Sequence, residues 1–229
     1  FLKRPMTGTQ YIQEASISAT DFPREVATLL QRAELGELYH WAGSLQLCSL
    51  TPRISIIGTR TPDSQNESAI EALSFNLARA GAVVVSGTAF GIDWAAHCGS
   101  LRAGGATIAC VPFGLGTVNL ATWRGGVLDS ANGNVLAISA MAKDQHVTTQ
   151  TPVLRNRLTA ALAEVVVIGE AGLKSGTHHC RAFAEKLGTP IFFLTDYAGM
   201  DDSLARAHRE WARRGARPFT LAEAQESEL

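Results

Sequence analysis

Residues 83–97 read VVVSGTAFGIDWAAH. The valine run shows no alternation of apolar and polar positions, so it predicts a strand covered on both faces. It ends on Ser86-Gly87; Gly91 follows, then Asp93 and His97. A buried strand that breaks on small residues just before a helix predicts a strand–turn–helix unit. Its turn lets a ligand approach the main chain, and the helix start offers unpaired N–H groups and a partial positive charge.

The same unit recurs in both directions. ISII (54–57), TIACV (107–111), VLAI (135–138), VVVI (165–168) and IFFL (191–194) are short apolar runs of the same kind, and helical patterns separate most of them. In the first such helix Ser64 and Glu67 are expected to form a capping box, Ile70, Leu73 and Leu77 an apolar stripe, and Gly81 the C-terminal cap. A last helix runs from Leu204 to Arg214 and ends near Gly215. Strand–helix repetition with non-alternating strands predicts an extended Rossmann-like α/β fold: a doubly wound, mostly parallel sheet with helices on both faces. The expected division is a short N-terminal helical lead-in over 1–50, the Rossmann-like domain over 51–218 and an acidic tail over 219–229. Val26, Leu29 and Leu30 at helix spacing, with Pro23 in a first turn, suggest the lead-in.

Apolar residues make up 46% of the 229 and charged residues 18%, which predicts a globular chain with a substantial core. No apolar run is long enough to span a membrane, and no stretch has the build of a secretory signal. Cys48, Cys98, Cys110 and Cys180 lie far apart without C-x-x-C spacing. Cys98 and Cys110 sit in or beside apolar stretches and are expected to be core thiols in a reducing cytoplasm. With 20 Lys and Arg against 21 Asp and Glu, the formal charge is −1. A polyanion must therefore be held by a local patch rather than by the long-range field.

The turns after the strands predict where that patch lies, because ligands of open parallel sheets gather beyond the carboxyl ends of the strands. GTR carries Gly58 and Arg60; SGTAFGID carries Ser86, Gly87 and Thr88; PFGLG occupies 112–116; GEAGLKSGT (169–177) carries Lys174, Ser175 and Gly176. Four small-residue turns with two cations among them predict an anion site. LRNRL (154–158) adds Arg155, Asn156 and Arg157. The nucleotide motifs are excluded: in GLKS, Leu173 precedes Lys174 and breaks the Walker spacing, and no G-x-G-x-x-G follows the first strand. Asp93 and His97 share a helix face and are expected to brace the helix start rather than perform acid–base chemistry. Three adjacent residues, His178-His179-Cys180, cannot all face one ion, so no metal is assigned.

In family order, ISIIGTR, SGTAFGIDWAAHCGSLRAGGATIACVPFGLG, RNRLTAAL and EAGLKSGTHHCRAFAEKLGTPIFFL resemble the DprA (Smf) DNA-processing family over roughly residues 20–216. DFPREVATLL…LYHWAGSL resembles its lead-in. The resemblance implies a non-catalytic single-stranded DNA-binding protein without a cofactor, commonly dimeric, which loads a RecA-type recombinase in DNA processing, recombination or transformation. It implies a minimal, divergent member without a winged-helix domain. The implied pocket comprises Gly58, Arg60, Ser86, Gly87, Thr88, Arg155, Asn156, Arg157, Lys174, Ser175 and Gly176. Serine hydroxyls and main-chain N–H groups are expected to bond phosphate oxygens, which the arginines and lysine neutralise. Phe90 stands where the family usually has arginine; its ring is expected to pack inward, base stacking being the alternative. Ser139-Ala140 stands in place of a serine–glutamate pair, and a Tyr-Pro segment is not recognisable in TVNLATWRGG. The competing function is that of a LOG-like nucleoside-monophosphate phosphoribohydrolase or nucleotide sensor, with Glu170 beside a ribose. Its P-G-G-x-G-T-x-x-E signature is not present.

Overall fold

The structure, a computed structural model, describes residues 12–16, 22–173, 175–196 and 199–226. Among the described residues, nine strands form one sheet in the order β1-β2-β6-β5-β4-β3-β7-β8-β9. They are β1 (Gln13–Ser16), β2 (Leu38–Gly43), β3 (Arg53–Ile57), β4 (Val83–Ser86), β5 (Thr107–Cys110), β6 (Val135–Ser139), β7 (Val165–Ile168), β8 (Ile191–Leu194) and β9 (Arg217–Phe219). From β6 across to β9 every pairing is parallel, while β1 and β2 close the other edge antiparallel. The helices are α1 (Arg24–Arg32), α2 (Ser64–Arg79), α3 (Ile92–Arg102), α4 (Thr151–Leu162), α5 (Thr177–Leu187), α6 (Asp202–Arg213) and α7 (Leu221–Glu226).

Successive strand residues point to opposite faces, and two apolar layers result. Ile57, Val85 and Val166 join Leu30 of α1, Leu158 of α4, Phe183 of α5 and Trp211 of α6. Ile56, Val84 and Val167 join Ile70 and Leu77 of α2 and Ile92 of α3. The fold is the Rossmann-like one, with helices on both faces. All four cysteines are free thiols, and burial pushes those of Cys48 and Cys110 up to about 12.

Three local expectations are corrected. Among the described residues of 1–50 the lead-in is not helical alone: α1 is flanked by β1 and β2, and β2 pairs with β6 nearly a hundred residues away. LYHWAG is buried over its middle four residues, so it belongs to the sheet and its core. The tail from 219 likewise starts at the end of β9 and continues as α7. At α2 the cap is Asp63, whose carboxylate accepts from the Gln65 N–H at 2.8 Å, and Ser64 is the first helical residue.

One feature of this topology positions the site. Chain order runs outward from β3 through β4, β5 and β6 on one side, and through β7, β8 and β9 on the other. The turns after β3 and β7 therefore diverge and open a crevice between them, at the switch point where such sheets bind ligands.

Candidate nucleic-acid interface

The crevice is about 650 Å³, and Gly58, Thr59, Arg60, Asn156, Ser175, Gly176 and His179 are on its walls. Thr59 N–H donates to the Glu170 carbonyl at 2.7 Å, which ties the two turns together at their base. A Cβ at Gly58 would press on the Ile92 side chain, so this glycine lets α3 lie close against β3. Arg60 is exposed and lines the crevice.

At the start of α5, neither the Gly176 nor the Thr177 N–H has a partner among the described residues. Ser175 Oγ is buried beside them, also without a partner. Asn156 reaches from α4 and donates to the Gly176 carbonyl at 3.0 Å, fixing this turn. Free amides at the positive end of a three-turn helix, a hydroxyl and a nearby guanidinium form an arrangement suited to phosphate oxygens. Lys174 lies outside the described residues.

The turn after β4, where the sequence most strongly suggested a phosphate, is built for another purpose. Ser86 is fully buried and its hydroxyl donates to the Ile56 carbonyl at 2.6 Å, within the sheet. Gly87 is glycine because the Arg155 guanidinium occupies the place of a Cβ. Arg155 Nη1 lies 3.0 Å from Asp93 Oδ2, with both side chains only 6% exposed. Asp93 Oδ2 also accepts from the Ala89 N–H at 3.3 Å. The neutral His97 ring donates from Nε2 to the Gly87 carbonyl at 2.6 Å, leaving Nδ1 2.7 Å from the Thr107 hydroxyl. Burial holds that imidazole down at about 4. Gly91, at φ 74°, packs against the turn after β3, and the Ile92 N–H donates to the Thr59 carbonyl. The helix mouth of α3 is thus filled by the protein's own groups, and Ser86 and Gly87 are withdrawn as phosphate contacts.

Three further assignments change. Arg155 and Arg157, two apart on α4, cannot share a face. Arg157 turns to the other side, within 3.5 Å of the Glu34 carbonyl and over the Phe183 ring, away from the crevice. Arg155 is an internal ion pair, although its unpartnered Nε is buried in the crevice region. Glu170 is not free for a ribose: its carboxylate accepts from the Asp63 N–H at 3.1 Å and from Asn66 Nδ2 at 2.7 Å, holding the start of α2.

Phe90 does not pack inward. Its ring is 63% exposed, and the Arg124 guanidinium lies 3.8 Å from its centroid. Arg124, Trp123, Phe113 and Thr88 line a second cavity of about 410 Å³, which shares Arg60, Ala89, Val147, Pro152 and Arg155 with the first. Phe113 comes from the PFGLG turn singled out in the sequence, whereas Arg124 and His146 were missed, because the long β5–β6 and β6–α4 connections deliver them.

The geometry defines a class: a Rossmann-like protein with a polar crevice at its strand-order switch. The DNA recombination-mediator protein A family matches residues 15–228, and the chain belongs to that family. It is 32% identical over 163 residues to a putative DNA processing protein DprA of Mycobacterium tuberculosis, a match spanning 66% of this chain and 39% of that protein. It is 30% identical over 167 residues to the DprA of Streptococcus pneumoniae, spanning 70% of this chain and 58% of the relative. The chain thus spans well under two thirds of these relatives. Among solved structures, the S. pneumoniae DprA superposes with a TM-score of 0.78 at 26% identity, over 94% of this chain and 73% of that one. DNA processing protein A of Helicobacter pylori, described as having a unique single-stranded DNA binding mode, gives 0.73 at 28% identity, over 92% and 93%. A molybdenum cofactor binding protein of Rippkaea orientalis shares the fold, at 0.54 and 19% identity over 76% and 91%. No helix among the described residues is long and apolar enough to cross a membrane.

Proposed function

We propose that the crevice between the turns after β3 and β7 binds the backbone of single-stranded DNA, and that the chain acts without catalysis in DNA processing. The observation that carries this reading is the set of unpartnered groups on one rim. Ser175 Oγ, Thr88 Oγ1, Arg155 Nε and Arg124 Nη1 are all buried, without partners, and on the walls of the two adjoining cavities. Buried polar groups are normally satisfied, so a cluster of exceptions suits a polar ligand. Arg60 adds a cation exposed on the crevice wall, and the amides of Gly176 and Thr177 add donors. Asp93 and His97 are spent on holding the β4–α3 turn, and Glu170 on holding the start of α2. Loading of a RecA-type recombinase, a homodimeric state and a cytoplasmic setting belong to the same proposal, and family membership supports them.

A panel of variants tests the location. Arg60→Ala is expected to weaken binding of a labelled single-stranded oligonucleotide about tenfold, the effect of losing one charge-assisted phosphate contact. Arg157→Ala and Ser86→Ala are expected to stay within about twofold, although Ser86→Ala costs about 1 kcal/mol of stability. Anisotropy titrations separate the cases, and a larger loss with Arg157→Ala than with Arg60→Ala would place the DNA elsewhere.

A further inference from the structure

Arg124 is held at some cost. Its backbone lies in the left-handed region (φ 49°, ψ 44°), which disfavours side chains bearing a Cβ, and Gly125 and Gly126 continue the turn at φ 77° and 73°. The guanidinium lies 3.8 Å from the Phe90 ring centroid, 4.7 Å from that of Trp123 and 5.2 Å from that of Trp94. It makes no hydrogen bond or ion pair with a described residue, and Nη1 is buried. Burial lowers its proton affinity while nearby Asp93 opposes the change. The Phe90 ring remains mostly exposed even with this cation against it. The three rings hold the guanidinium by cation–π contact but offer Nη1 no acceptor, and most of Phe90 stays open.

We infer that Arg124 and Phe90 form a stacking platform for a nucleobase, in the cavity next to the phosphate crevice. Aromatic and guanidinium planes both stack on bases, tolerate any base, and act on unpaired strands whose bases are accessible. Phe113 and Trp123 supply further apolar wall, Arg60 supplies a cation at the rim, and no acidic residue is among the described residues that line the cavity. Because Arg60, Val147 and Arg155 line both cavities, the two adjoin, and a strand with a phosphate at Ser175–Gly176 has the Arg124 cavity beside it for a base. This inference rests on the single-stranded DNA reading above and adds the base subsite to it.

The test uses the full chain and two oligomers of equal length and charge: oligothymidylate and an abasic strand. The wild type is expected to bind oligothymidylate about tenfold more tightly than the abasic strand, in line with base–aromatic stacking. Phe90→Ala removes no charge, and Arg124→Lys keeps the charge but loses the planar fork. Each is expected to bring that preference to about twofold or less, with the fold checked by thermal melting. If the wild type shows no preference, or either variant keeps it, the base platform is overturned while backbone binding stands. If neither oligomer binds, both readings fall.

Discussion

Asp93→Ala is expected to destabilise the protein by about 3–5 kcal/mol, although the residue lies beside the candidate DNA site. Removing one partner of a buried ion pair strands the other charge in a site of low polarity, and that cost commonly reaches this size. Here the stranded group is the Arg155 guanidinium, which lies over Gly87 and whose Nε already lacks a partner. The Ala89 N–H loses its acceptor as well. Exchanging both members for apolar residues of similar volume, Asp93→Leu with Arg155→Met, is expected to cost much less than Asp93→Ala, because no charge is left uncompensated. Urea unfolding at neutral pH measures both. A loss below about 1 kcal/mol for Asp93→Ala would mean that the Arg155 charge is solvated rather than balanced by Asp93, contrary to the geometry.

His97 is expected to make the fold sensitive to mild acid. Its ring is fully buried between the Gly87 carbonyl and Thr107, and burial holds its pKa at about 4, against an ordinary 6.5. The unfolded chain takes up a proton that the folded one refuses. His97's contribution is therefore complete above pH 6.5 and is lost progressively as the pH falls from 6.5 to about 4. Over that interval the loss amounts to about 3 kcal/mol. His178 and His208 are lowered by burial too and act in the same direction. His97→Gln is expected to be less stable at pH 7 but to lose most of this slope. Equal slopes for wild type and variant between pH 4 and 6.5 would remove His97 from the account.

Both predictions concern a turn whose glycine was legible in the sequence and whose purpose was not. The central strands could be read directly, since VVV, TIAC and VVVI are buried on both faces and show no alternation. The edges were not readable in the same way. LYHWAG pairs only with distant segments, and RPF, with a proline on an edge strand, gives almost no strand signal. At the site, Gly58, Arg60, Ser175 and Gly176 meet because each follows β3 or β7, which the switch point brings together. Ser86 was misread because residue type does not reveal that a hydroxyl is already bonded across the sheet. The separation of Arg155 from Arg157 follows from helix geometry and was available in the spacing itself. Arg124 was invisible, because its meeting with Phe90 depends on the path of a long connection.

The measurement that bears most directly on the account is a titration of the full chain with labelled single-stranded and duplex DNA at about 50 and about 200 mM salt. Neutralising about three phosphates on a single strand gives a loss of about 20-fold in affinity between these conditions. The account predicts that loss, together with duplex binding at least about tenfold weaker than single-stranded binding. Absent binding, salt-independent binding, or equal affinity for duplex would contradict it.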